Sequence, residues 1–284
     1  MITVKSSNFY TSYALESFFS NTEINQDDEF VLIDNDGCEI DKFSTYNRIK
    51  IIKNKSPLNF AENVNQIIDI AIGAKKDLIF LTNDLIFTKN WIKPLLLNSK
   101  TISIPSNNQI FQYQSDCGNL KLKPTMNFDD FNENYNLLND IATKHKKKFK
   151  PHQKFQTLLM PFSCFKAPYN ILCEVGRLDT SYGTGGGEDV DYRIRCAIKG
   201  YDVNFLLDSY LLHFHGKSTW GVETRNQTEE RNRKYTKVFL KKWGDDITQI
   251  FILRQDFFDI LEKKGIKDLF NKGKFGDLIR KILQ

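Results

Sequence analysis

Two short apolar runs break off into acids and amides, and they constrain this chain more than anything else in it. Residues 29–33 read EFVLI and end in Asp34-Asn35-Asp36; residues 77–81 read DLIFL and end in Thr82-Asn83-Asp84. Runs this apolar, with no polar alternation, are strands buried on both faces, which is the habit of a mainly parallel sheet covered by helices. The intervening sequence agrees. Residues 48–52 (RIKII) read as another strand. Residues 59–72 place Ala61, Val64, Ile67, Ile68, Ala71 and Ile72 along one face of a helix. Residues 2–4 and 12–19 add a first strand and helix. The expectation is an α/β fold, a mostly parallel mixed sheet flanked by helices. In such sheets ligands bind beyond the carboxyl ends of strands. Two acid clusters at neighbouring strand ends suit a polar ligand with a divalent metal held by oxygens, although Asp and Asn are also ordinary turn residues after a strand.

The chain has 284 residues, enough for one large domain or a domain with an appendage. Neither a P-loop nor GxGxxG follows any of the strands, which removes the main support for an NTPase or a dinucleotide-dependent dehydrogenase. The net charge of +5 is mixed along the sequence, so anionic partners are permitted but not demanded, and no nucleic-acid partner is expected. Five cysteines without CxxC spacing argue against a disulfide framework and for a reducing cytoplasm. The N-terminal segment lacks the apolar core of a signal peptide. No run approaches the roughly 20 apolar residues that span a bilayer, so membrane contact, if any, is peripheral, at the inner face.

The second half carries TGGGEDVDYRIRCAIKGYDVNFLLDSYLLHFHGKSTW at residues 184–220. Three glycines allow close backbone approach, Glu188-Asp189 open a helix that Gly200 closes, and a strand delivers His213 and His215. If that strand is extended, both imidazoles point to the same side. Residues 101–105 and 158–164 read as strands. Between them lies a polar insertion, 115–156, with a helix at 131–143. Its run KHKKKFKPHQK holds six lysines, read either as an anionic-acceptor or lipid contact or as a solvated loop. From residue 245 the pattern turns to basic amphipathic helices, which fit packing on the rest of the chain, an oligomer contact or an anionic membrane surface.

VLIDNDG, KNKSPLNFAENVNQII, LIFLTND, GGGEDVDYRIRCAIKGYDV, HFHGKST and RNRKYTKVFLKKWG resemble, in this order and spacing, the segments of family 2 glycosyltransferases of the GT-A fold. The GGGEDVD segment further resembles the GGED-type loop of β-1,4-galactosyltransferases. The resemblance covers roughly residues 2–244. It implies a catalytic domain over 1–244, with a nucleotide-sugar part at about 1–110 and an acceptor-side part at about 111–244. Residues 245–284 form a C-terminal helical appendage. It implies donor nucleotide contacts from Asp34, Asn35, Asp36, Asn63, Asn83, Lys217 and Ser218. The acceptor would be met by Glu188, Gly186, Gly187, Tyr182 and Trp220. It implies Mn²⁺ or Mg²⁺ on Asp84 and His213, with His215 as the alternative. The donor is expected to be a nucleoside diphosphate sugar, UDP-linked, and the acceptor a glycan or lipid-linked glycan. One departure stands out: the first position of the DxD-type motif is Thr82.

Transfer with inversion needs a base for the acceptor hydroxyl, and the resemblance gives that role to Asp189, with Glu188 orienting the acceptor. A helix N-terminus lowers a carboxylate pKa, so Asp189 is expected to be a weak base acting late in the transition state. Thr82 motivates a competing reading, a non-catalytic sugar-nucleotide-binding or scaffold module. A metal-dependent phosphohydrolase using the same acids lacks any phosphatase signature.

Overall fold

The structure is a computed structural model that describes residues 1–37, 43, 46, 48–108, 131–214 and 223–284. Strands β1 (Ile2–Thr3), β2 (Phe30–Asp34) and β3 (Ile49–Lys53) form a parallel sheet in that order. Leu32 and Ile33, consecutive in β2, are both fully buried, which shows the strand covered on both faces as its composition requires. Helix α1 (Asn8–Asn21) follows β1, and α2 (Phe60–Gly73) follows β3. Asn59 caps α2: its side chain accepts from the Glu62 N–H while the Glu62 carboxylate accepts from the Asn59 N–H, both at 2.9 Å. Ala61, Val64, Ile67, Ile68 and Ala71 then bury the expected stripe against Phe80 and Ile104.

A second sheet is mixed. Strands β4 (Leu78–Leu81), β5 (Leu85–Phe87), β6 (Ile102–Asn107), β7 (Lys154–Gln156), β8 (Cys164–Ala167) and β9 (Val203–His213) run in the order β4-β8-β6-β9-β5, with β7 also on β9. Its parallel pair is β6–β9, and the others are antiparallel. The strand expected over 158–164 starts only at Cys164, where pairing with Leu81 begins; Pro161 upstream has no N–H for a ladder. Strand β5 was not anticipated, being three residues directly behind an acid cluster. Helix α3 (Lys93–Leu96) leads into β6, and α4 (Tyr135–Lys146) lies ahead of β7. The lysine run starts inside the last turn of α4, where cations favour a helix C-terminus. Lys146 donates to the Lys89 carbonyl at 2.8 Å and His145 is buried, so part of that run holds the helix in place.

Helix α5 (Tyr169–Val175) precedes α6 (Glu188–Ile198), and α7 (Arg225–Trp243) follows β9. Beyond them, α8 (Asp245–Thr248), a π-helical turn (Gln249–Leu253), α9 (Phe257–Lys263), α10 (Lys267–Asn271) and α11 (Phe275–Ile282) make up the C-terminal appendage. It packs inward: Phe251, Phe257, Leu261, Leu278 and Ile279 share a buried cluster with Val190, Ile194 and Ala197 of α6, each such side chain contributing about 1.5–3 kcal/mol. Arg280 adds a 2.6 Å hydrogen bond to the Ala197 carbonyl. Of the three readings of this segment, packing on the chain is therefore realised. No helix among the described residues is long and apolar enough to cross a membrane.

Candidate functional site

The strand ends deliver their acids as expected, though β2 and β4 end in separate sheets rather than as ladder neighbours. A polar relay through α1 joins them. The Asn83 amide donates to Ser7 Oγ at 2.7 Å and Thr11 Oγ1 at 2.9 Å. Thr11 shares a 2.7 Å hydroxyl contact with Thr3, which lies opposite Asp34 in the β1–β2 register. Asn83 thus points into α1 and fixes the two strand ends relative to each other.

Asp34 is buried and accepts from the Gly37 N–H at 2.9 Å, closing a tight turn; Asp36 accepts from the Lys5 N–H at 2.7 Å. Asn35 and Asn63 lie in one amide network. Asn35 Oδ1 accepts from Asn54 Nδ2, the Leu58 N–H and Asn63 Nδ2 at 2.8–3.0 Å, and Asn35 Nδ2 donates to the Leu58 carbonyl. This network shapes the loop between β3 and α2 beside the Asp34 turn.

Asp84 and His213 come together across the β5–β9 ladder, where Leu85 lies opposite His213. His213 Nε2 stands 3.3 Å from Asp84 Oδ1, with the two side chains 11% and 3% exposed. The Phe214 N–H donates to the Asp84 carbonyl and the His213 N–H to Asn108 Oδ1, which fixes both backbones. One carboxylate oxygen and one imidazole nitrogen make a donor set that suits Mn²⁺ better than Mg²⁺. Among the described residues no three His, Cys, Asp or Glu side chains converge. Among the described residues a metal would therefore find this pair, with diphosphate oxygens and water available to complete its shell. Thr82 donates its hydroxyl to the Ser163 carbonyl at 3.2 Å, tying the end of β4 to the approach of β8.

In the second half of the chain, Glu188 and Asp189 open α6 after a chain of glycines with positive φ. Gly186 (φ 116°) and Gly187 (φ 86°) adopt backbone that side chains disfavour. The room they leave is filled by the protein: a Cβ on Gly186 would meet the Tyr235 ring at 2.6 Å, and one on Gly187 the Tyr182 ring at 3.2 Å. The loop is thereby seated on α7 from one side and on Tyr182 from the other. Tyr182 itself is 2% exposed and donates to Asp191 Oδ1 at 3.1 Å, so it lies under the loop rather than on an open face.

Glu188 accepts from the Gly186 N–H at 2.5 Å, and Asp189 from the Val190 N–H at 2.8 Å. Burial pushes the Glu188 carboxyl up to about 7, the neighbouring Asp189 charge adding to the rise, and burial also pushes Asp189 up to about 6. The expected lowering by the helix N-terminus is thus overridden: desolvation of two adjacent carboxyls outweighs the backbone donors. A carboxylate ionising near neutrality is a better base than one held at its ordinary value.

The third acid of the motif does other work. Asp191 is fully buried and accepts from Trp243 Nε1 at 2.8 Å, Arg195 Nε at 2.9 Å and the Tyr182 hydroxyl, and pairs with Lys242 at 2.7 Å. It is the anchor between α6 and α7. The sequence reading did not single out Arg231, Tyr235 or Arg254. Arg231 lies by Glu188, and Arg254, after the π-helical turn, by Asp189. RNRKYTKVFLKKWG held the signal for the first two; nothing marked Arg254. His215, Lys217, Ser218 and Trp220 lie outside the described residues.

No family model matches the chain, and no curated protein matches it. Solved structures do. The chain is similar to GalNAc-T7, solved with UDP, GalNAc and Mn²⁺, at TM-score 0.55 and 16% identity, over 92% of this chain and 52% of that one. It therefore spans about half of GalNAc-T7. It is similar to TarS 1-349 of S. aureus in complex with UDP-GlcNAc at TM-score 0.54 and 11% identity, over 99% and 88% of the two chains. The mannosyltransferase PcManGT from Pyrobaculum calidifontis, in complex with GDP-Man and Mn²⁺, gives TM-score 0.52 and 12% identity over 95% and 71%. The fold is that of the GT-A glycosyltransferases.

Proposed function

We propose that the chain transfers a sugar from a nucleoside diphosphate sugar, UDP-linked, to a hydroxyl of a glycan or glycolipid, with inversion at the anomeric carbon. One observation carries this reading: the raised carboxyl pair Glu188–Asp189 on one element and the Asp84–His213 pair on another, in a fold whose solved relatives hold sugar nucleotides. Asp34 and Asp36 flank the nucleoside, while Asn35, Asn63 and Asn83 act on it through the loops they hold. Lys217 and Ser218 are assigned to the diphosphate and Trp220 to the acceptor sugar, on the resemblance alone. Asp84 and His213 are the ligands of the divalent ion, which when bound stabilises charge on the leaving diphosphate as a Lewis acid. Asp189 accepts the acceptor hydroxyl proton as the oxygen attacks opposite the leaving group. Glu188 orients the acceptor by hydrogen bonding. Tyr182 serves the acceptor indirectly, by supporting the loop. Metal dependence, inversion, the family 2 assignment, a polysaccharide product, a cytoplasmic site of action and peripheral membrane contact belong to this proposal. The test is a panel of UDP- and GDP-sugars with Mn²⁺, with and without acceptor glycans, followed by product stereochemistry. Turnover that inverts configuration supports it; no binding or turnover of any sugar nucleotide overturns it. Binding without turnover would instead favour the scaffold reading that Thr82 raised.

A further inference from the structure

The glycine loop that leads into Glu188 and Asp189 must be held if those acids are to keep their place. Arg231, on the face of α7 turned to that loop, supplies a brace. Its Nε donates to both Glu223 carboxylate oxygens at 3.1 Å and its Nη2 to Glu223 Oε2 at 3.0 Å. Its Nη1 donates to the Gly185 carbonyl at 3.4 Å, a long bond, so the ion pair is the stronger half of the bridge. The Arg231 and Glu223 side chains are 10% and 18% exposed. Gly185 belongs to the loop that carries Glu188 and Asp189; Glu223 lies just ahead of α7 and accepts from the Thr228 hydroxyl at 3.2 Å. One turn along α7, the Tyr235 ring fills the space that the missing Gly186 side chain leaves. A guanidinium is the group for this position, since its fixed fork serves the carboxylate and the carbonyl at once where an ammonium is a single point.

We propose that Arg231 is a positioning residue for sugar transfer, locking the Gly185–Gly187 loop to the start of α7 so that Glu188 and Asp189 keep their place. This rests on the glycosyltransferase reading. Placement at this scale matters because a misplacement of about 1 Å costs on the order of 100-fold in rate. Among the described residues, the groups facing Glu188 and Asp189 are Arg231 and Tyr235 from α7 and Arg254 from the appendage, with the two acids facing each other. The Arg231 charge favours ionised Glu188.

The test compares wild type, Arg231→Met, Arg231→Lys and Glu223→Gln as full-length chains. Release of nucleoside diphosphate from a panel of UDP- and GDP-sugars with Mn²⁺ is measured against pH. Hydrogen exchange of residues 184–190 and thermal melting are measured in parallel. Expected are a kcat lower by about 10- to 100-fold in Arg231→Met, a donor KM within about twofold, faster exchange in 184–190, an acid limb moved to higher pH, and no rescue by lysine. Glu223→Gln lies between, and decides the matter if Arg231→Met does not fold. Full rate in Arg231→Lys, or a loss no larger than the lost folded fraction with exchange unchanged, overturns the proposal. If wild type turns over no sugar nucleotide, the functional reading fails separately. The bridge is then judged on exchange alone: faster exchange in the variants upholds it, and unchanged exchange overturns it.

Discussion

Replacing Gly186 by alanine tests how the catalytic loop is seated. The added Cβ would lie 2.6 Å from Tyr235 Cδ1 and Cε1, against an optimum of about 3.5–4.0 Å between carbons. The overlap is therefore on the order of 1 Å with a ring rather than with a flexible chain end. Position 186 also holds φ at 116°, backbone that adds about 1–3 kcal/mol for a residue with a side chain. Overpacking brings a further cost of about 1–3 kcal/mol, so the loop cannot keep its place without losing roughly 2–6 kcal/mol. At about 2 °C per kcal/mol for a chain this long, Tm should fall by about 4–12 °C. If the loop shifts instead, Asp189 moves with it, and kcat should fall about 100-fold while donor binding persists. A double-mutant cycle with Tyr235→Ala separates the two costs, because removing the ring relieves the overlap and leaves the φ strain. The paired variant should be less damaged than the sum of the singles. Strict additivity, or a Gly186→Ala chain with wild-type kcat and Tm, would refute the seating argument.

Four further outcomes follow from the site. Asp189→Asn should lower kcat by about 100- to 10,000-fold with donor affinity kept, as measured by initial rates and calorimetry; a smaller loss removes Asp189 as the base. The Glu188–Asp189 pair binds protons more tightly folded than unfolded, having been raised to about 7 and about 6. Its contribution to stability therefore grows as pH falls from 8 towards 5 and is lost as pH rises through that window. Glu188→Gln should accordingly gain Tm relative to wild type at pH 8 and not at pH 5, while wild-type kcat/KM should fall on the acid side below about pH 6. Asp84→Asn and His213→Ala should each abolish the Mn²⁺-dependent part of the thermal shift given by a sugar nucleotide, as EDTA does for wild type; retention in both refutes the metal assignment. Asp191→Ala leaves Lys242 its Asp179 partner and Arg195 its Val175 and Arg177 carbonyls but removes the acceptor of Trp243 Nε1 and the Tyr182 hydroxyl, and should cost about 1–3 kcal/mol by denaturant melts, a loss that Asp189→Asn does not share.

Periodicity in the sequence was enough for the elements that carry apolar patterns. The α2 stripe and the two-faced burial of β2 follow from the spacing of Ile, Val and Leu, and the acids sit at the strand ends where those runs stop. What the sequence could not show was pairing between distant strands. Nothing local announces that β8 and β9 insert on either side of β6, or that a three-residue β5 sets His213 beside Asp84, because ladder register depends on partners far along the chain, Ser103 with Lys166 and Leu85 with His213. The site divides along the same line. GGGEDVD reads as a candidate reaction centre from its glycines and acids. Yet the same letters hide three different jobs: Glu188 and Asp189 are raised together by burial, while Asp191 is spent on holding α6 to α7. The glycines looked like room for a sugar and are room for Tyr235 and Tyr182. In each case the decisive quantity was desolvation or van der Waals contact, which composition does not encode. That is also why Thr82, the weakest letter of the DxD-type motif, weighs less in three dimensions: its hydroxyl braces β4 against Ser163, and the His213 imidazole stands 3.3 Å from Asp84 across the ladder, where the proposed metal would find a second ligand.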